Sequence, residues 1–198
     1  MDPNGGNNMN IRKNLVNLVL LGILAGLIFL MGQTPLGLIP LGFCNVTLLV
    51  IPVAVGTIYM GWKNGLVLGA AFAATSLLSA LTKPSALVAT LMGASPALMI
   101  VMTVLPRLCI PLVIWGIYKL LGKMKQPLAA AIAAACGSLT NTVLYLGLML
   151  LFYILCGIDN TKVLTTIAAV AGGAGPLEAI AAAIITPPIL TALAKIRK

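Results

Sequence analysis

The stretch PALMIVMTVLPRLCIPLVIWGIYKLL, Pro96 to Leu121, carries only two charges: Arg107 near its middle and Lys119 at its close. About 20 predominantly apolar residues suffice for a helix to cross the hydrocarbon core of a bilayer, so this run predicts a transmembrane helix. An arginine inside such a span costs about 2.5–3.5 kcal/mol on insertion scales and needs a partner, a cavity or a function. Pro106 precedes it and removes a backbone hydrogen bond, which bends the helix and frees a carbonyl near mid-span.

The rest of the chain reads the same way. Of 198 residues, 61% are hydrophobic and 8% charged, which leaves no material for a separate soluble domain. Long apolar runs rather than ten-residue alternating segments fill it, so the expected class is an all-α integral membrane protein and not a barrel. The net charge is +9, but the basic residues gather at span ends as topology determinants do, without the interleaved aromatics of a nucleic-acid surface. Nucleic acid is therefore not an expected partner; the lipid bilayer is.

Six helices are expected: about Leu15–Met31, Thr47–Met60, Gly65–Leu81, Pro96–Leu121, Leu128–Cys156 and Pro176–Ala194. Residues 1–14 read as an N-terminal tail, and 15–198 as one membrane domain packed as a compact bundle. The first apolar run is long and lacks a small-x-small cleavage site, so it is expected to be a helix of the bundle rather than a signal peptide. Between helices one and two, Pro35, Gly37, Pro40 and Gly42 break an apolar stretch. That composition suits a re-entrant or capping loop, since irregular backbone at membrane depth survives only under protein cover. Lys83 to Ser95 reads as a further loop, and Val163 to Gly175 as an apolar, glycine-rich approach to the last helix. With six crossings, Arg12, Lys13, Lys63, Lys119, Lys123, Lys125, Lys195, Arg197 and Lys198 share the side of both termini, and only Lys83 and Lys162 lie opposite. The positive-inside rule then places both termini in the cytoplasm.

The polar residues within the spans are few. Ser138, Asn141 and Tyr145 lie at i, i+3 and i+7 and share one helix face, with Thr142 beside them. Asn141 is either interhelical glue or a ligand contact. Glu178 opens the last helix; it either neutralises Arg107 or holds a loop or a ligand hydroxyl while Arg107 meets an anionic ligand group. With Asn45 and Thr47 they describe a small, mostly apolar pocket opening outward. Gly22 and Gly26 form a GxxxG on helix one, suited either to packing within the bundle or to docking a partner. Catalysis finds no support. There are three acids, no histidine and no GxxxxGK[ST], so neither a metal cluster, a Ser/His/Asp triad nor autonomous ATP hydrolysis is expected, and no cofactor either. Cys109 and Cys136 fall in spans, while Cys44 and Cys156 both lie near the outer face with no pairing deducible.

Four segments in order resemble the substrate-binding S components of energy-coupling factor (ECF) vitamin transporters: Ile51–Leu81, Leu105–Lys123 (LPRLCIPLVIWGIYKLLGK), Gly137–Leu150 (GSLTNTVLYLGLML) and Gly175–Ile189 (GPLEAIAAAIITPPI). The set is most similar to the pantothenate type; the riboflavin type carries an acidic motif before its second helix, which Phe43–Thr47 lacks. The resemblance implies a non-catalytic vitamin-binding subunit of a bacterial plasma-membrane importer. Its partners would be a transmembrane T component and two ABC ATPases. Gly22 and Gly26 stand where the family's docking motif has alanines. Arg107 would meet the vitamin's carboxylate, with Asn141 and Thr142 on its amide or hydroxyls. Another vitamin, or a stand-alone secondary carrier, is the alternative.

Overall fold

The computed structural model describes residues 5–34, 38–40 and 45–196, and side chains over 14–34 and 47–195. Helix α1 (Gly5–Gln33) is followed by two short strands, β1 (Leu38–Pro40) and β2 (Asn45–Thr47). Then come α2 (Val50–Met60), α3 (Trp62–Thr82), α4 (Ala86–Ala94), α5 (Pro96–Leu120) and α6 (Gln126–Leu155). Helix α7 (Thr161–Ala169) passes through a π-helical turn (Val170–Ala174) into α8 (Gly175–Ile196).

The protein is a helical, multi-span membrane protein. Among the described residues, five helical stretches are long and apolar enough to cross a bilayer: Asn14–Gln33, Trp62–Thr82, Pro96–Leu120, Gln126–Leu155 and Thr161–Lys195. Helix α2, expected as a sixth crossing, has 11 residues and so rises only about 16 Å, roughly half the hydrocarbon thickness. It is nevertheless among the best-covered elements, with every residue from Val50 to Thr57 buried.

Three segments depart from expectation. The Lys83–Ser95 loop contains α4, started by the Ser85 hydroxyl, which accepts a hydrogen bond from the Val88 amide at 3.5 Å. Only Gly61, at φ +91°, makes the turn between α2 and α3, so Lys63 and Asn64 already belong to the first turn of α3. The glycine-rich approach to the last helix is itself helical, because the π-turn absorbs Gly172 and Gly173 without breaking the rod. Of the Pro/Gly-rich stretch before α2, the described part is an antiparallel ladder pairing Leu38 with Thr47, Ile39 with Val46 and Pro40 with Asn45. Pro35, Gly37 and Gly42 lie outside the described residues, as does Cys44, and with them the question of whether the loop is re-entrant. Helix α1 begins at Gly5, within the segment expected to be a tail.

Small residues bring α3 and α6 against α5. A Cβ added at Gly69 would stand 2.8 Å from the Arg107 carbonyl and 3.2 Å from Pro111 Cγ. One at Gly65 would strike the Thr57 hydroxyl, and one at Gly137 the Ile114 side chain. The carbonyl of Arg107 is thus packed directly beneath the α3 backbone. Two apolar cores result. One gathers Ile28, Val53, Leu68, Phe72, Ile110, Ile114 and the alanines Ala130, Ala133 and Ala134. The other gathers Val88, Leu91, Met99, Met102, Met149, Phe152 and Tyr153. Along α5 and α6 the buried stretch between these cores includes polar residues: Thr103 and Arg107 on one helix, Ser138 and Asn141 on the other, with Tyr145 at the edge of the second core.

Candidate functional site

That polar layer opens into a cavity of about 560 Å³. Its walls include Thr47, Arg107, Asn141, Thr142, Tyr145 and Glu178, so the structure brings together every expected site residue whose side chain is described. The side chain of Asn45 lies outside the described residues; its backbone pairs with Pro40 in the hairpin.

Arg107 is buried to 9% exposure, yet its Nε and Nη1 have no hydrogen-bond partner. The guanidinium sits between two aromatic rings instead, with Cζ 4.5 Å from the centre of Tyr145 and 5.5 Å from that of Phe72. Ring faces attract a cation by their quadrupole, worth about 2 kcal/mol when desolvated, but they leave the N–H groups at the edge of the guanidinium free. An arginine held by ring contacts, with its Nε and Nη1 unpartnered, is suited to a planar anion such as a carboxylate. Nearby, Ser138 Oγ and Asn141 Oδ1 are likewise buried and unpartnered. Buried polar atoms are rarely left unpaired, and three such residues facing one layer mark a place where other polar groups belong.

Glu178 has a different task. Its Oε1 accepts the Thr47 backbone N–H at 2.6 Å, and its Oε2 lies 3.3 Å from the Thr142 hydroxyl. The carboxylate therefore ties strand β2 to α6 and α8. Pro176 and Glu178 fall in the first turn of α8, which continues the rod of α7 through the π-turn.

A second cavity of about 360 Å³ shares Thr47, Ser85, Arg107 and Tyr145 with the first, so the Arg107–Tyr145 pair stands between two chambers. Its far wall is α1 and α3, where Gln33 Nε2 reaches the Thr75 carbonyl and the Ser79 hydroxyl, each at 3.4 Å. Both volumes fall in the range of small-molecule sites, about 300–1,000 Å³. Phe72, Thr75, Ser76 and Ser79 were missed from sequence; their signal was the small polar residues of α3 at i, i+1 and i+4. Lys83 lines one chamber and Lys162 the other. Both had been read only as topology markers. Asp159, in the turn before α7, accepts the Thr161 amide at 3.0 Å and its hydroxyl at 2.6 Å. Those bonds hold its carboxyl below the usual aspartate range and steady the start of the helix that carries Lys162.

Gly22 and Gly26 are exposed, with nothing within 4 Å of where their Cβ atoms would be. Their small size is not used inside this bundle. Among the described residues no three His, Cys, Asp or Glu side chains gather as a metal would require. Cys109, Cys136 and Cys156 are free thiols, half-buried.

The family model for the substrate-specific component of ECF transporters matches residues 16–190, nearly the whole chain. The chain belongs to that family. As an S component it is a transport subunit. A curated relative is the pantothenic acid transporter PanT of Lactococcus lactis subsp. cremoris, 31% identical over 171 residues that span 76% of this chain and 79% of PanT.

Proposed function

We propose that this S component captures pantothenate on the outer face of a bacterial plasma membrane and delivers it for ATP-driven uptake. The observation that carries the proposal is Arg107: buried, held by two ring faces, its Nε and Nη1 unpartnered, between two chambers of suitable size. Pantothenate offers a carboxylate for that arginine, and an amide and two hydroxyls for Asn141 and Thr142. The likeness to PanT supports this vitamin over others.

Energy comes from outside the chain. A T component and two ABC ATPases are the expected partners, and the open Gly22/Gly26 face of α1 is the docking face we assign to the T component. Counting α2 together with the hairpin as a crossing restores six, with both termini cytoplasmic. The sorting of Lys and Arg supports that orientation. The outer end then holds Lys83 and Lys162, cations at the mouths of the two chambers that draw in an acid. Ligand released by denaturing the purified protein and identified by mass spectrometry tests the substrate. Pantothenate is expected; a flavin or another vitamin in its place would overturn the assignment while leaving the family intact.

A further inference from the structure

At the opposite end of the bundle, where α2 turns into α3 and α5 into α6, lies a third cavity of about 530 Å³. Its walls include Gly61, Trp115, Tyr118, Lys119, Gly122 and Gln126. The chain has two tryptophans, and both are here: Trp62 and Trp115 pack with ring centres 6.4 Å apart at 55°. Each carries a lysine over its ring, Lys63 at 5.9 Å from Trp62 and Lys119 at 4.7 Å from Trp115. Lys123 and Lys125 follow in the turn and are exposed. No acidic residue occurs between Asp2 and Asp159, so these four lysines have no carboxylate in their own part of the chain to neutralise them. The helices α3 and α6 also start here, and neither has a side-chain cap on its first amides.

We propose that this cavity is a binding site for the headgroup of an anionic phospholipid. Aromatic and lysine side chains at a span end anchor a helix in the interface by themselves. A concave site among them does more: Lys119 is in its wall, Lys63, Lys123 and Lys125 lie on the adjoining turns, and none of the described acids is in this part of the chain, so it matches a phosphate in charge, while its apolar walls (Ile58, Leu121, Met124) suit the start of an acyl chain. The tryptophan rings attract the exposed ammonium groups of Lys63 and Lys119 while leaving their N–H groups available to phosphate oxygens.

The test is native mass spectrometry of the full chain released from nanodiscs of equal parts phosphatidylglycerol and phosphatidylcholine. Retention of phosphatidylglycerol over phosphatidylcholine is expected, falling about fivefold for each lysine removed in Lys63→Gln and Lys119→Gln. Lys83→Gln with Lys162→Gln, at the other end, is expected to leave the preference unchanged. Lys119→Arg keeps the charge and is expected to retain it, which separates loss of the site from loss of the fold. Equal retention of the two lipids overturns the proposal, as does an equal loss from the lysine pair at the far end. Displacement of the lipid by millimolar inorganic phosphate would reassign the site to a free anion. Protection of Lys63 and Lys119 from amine labelling by a protein partner but not by phosphatidylglycerol would reassign it to a protein contact.

Discussion

Arg107 and Glu178 show how two opposite charges in one apolar bundle divide the work. Glu178 spends its oxygens on the Thr47 amide and the Thr142 hydroxyl, whereas Arg107 is held by ring faces and keeps its N–H groups. Arg107→Gln is therefore expected to weaken ligand binding by about 10- to 100-fold, the worth of charge-assisted hydrogen bonds to a buried anion, read by equilibrium titration. Arg107→Lys should recover little of this, since a point charge cannot fork around a carboxylate as a guanidinium can. Tyr145→Phe keeps the ring and should bind nearly as the parent does, while Tyr145→Leu loses the stacking and should cost about tenfold; equal losses in the two would show that the hydroxyl, not the ring face, matters. The sequence already isolated Arg107, Asn141, Tyr145 and Glu178, because a polar residue in a membrane span stands out against its neighbours. It did not isolate Phe72, whose ring is indistinguishable in sequence from any core aromatic, nor the Thr75–Ser79 wall, since hydroxyls on a helix can satisfy themselves on the backbone, as Thr75 does on Ala71.

Among the elements, the hairpin and the glycine faces carry separate predictions. Strand β2 reaches the bundle through the Thr47 amide bond to Glu178. Glu178→Gln weakens that charge-assisted bond, and amide hydrogen exchange of the Thr47 region is expected to quicken about tenfold; unchanged protection would mean that the hairpin is held elsewhere. The glycines separate into two kinds. Gly69 lies under the Arg107 carbonyl, so Gly69→Ala forces α3 and α5 apart and should destabilise the fold by about 1–3 kcal/mol, measured by thermal unfolding in detergent. Gly26→Leu fills open space and should leave the melting temperature unchanged while abolishing co-purification with the T component. Small residues announced close packing in sequence, but which surface they serve depends on helix rotation, and only three-dimensional packing reveals it. The same holds for α4 and α7. Pro84 and the run of glycines suggested loops, yet Ser85 caps a helix and a π-turn carries the chain through Gly172 and Gly173.

For the molecule as a whole, the layering is what makes a binding protein of so apolar a chain: an alanine- and leucine-rich core at one end, a methionine-rich core at the other, and the polar stratum between them where two chambers meet. Helical class and most span positions were legible from hydropathy, because lipid imposes so strong a constraint on composition. The burial of the short second helix was less legible, since an 11-residue helix buried from Val50 to Thr57 has the same apolar sequence as a piece of a lipid-facing span. Vesicles containing this chain alone are expected to bind the vitamin without concentrating it, and ATP-dependent accumulation should appear only with the T component and ATPases present. The central claim, that Arg107 is the carboxylate receptor of a pantothenate site, is met most directly by comparing pantothenate with its neutral alcohol analogue on the parent protein and on Arg107→Gln by isothermal titration. The account predicts that the parent prefers the acid by about 10- to 100-fold and that the variant prefers neither. A variant that still discriminates, or that binds the acid as tightly as the parent does, would contradict it.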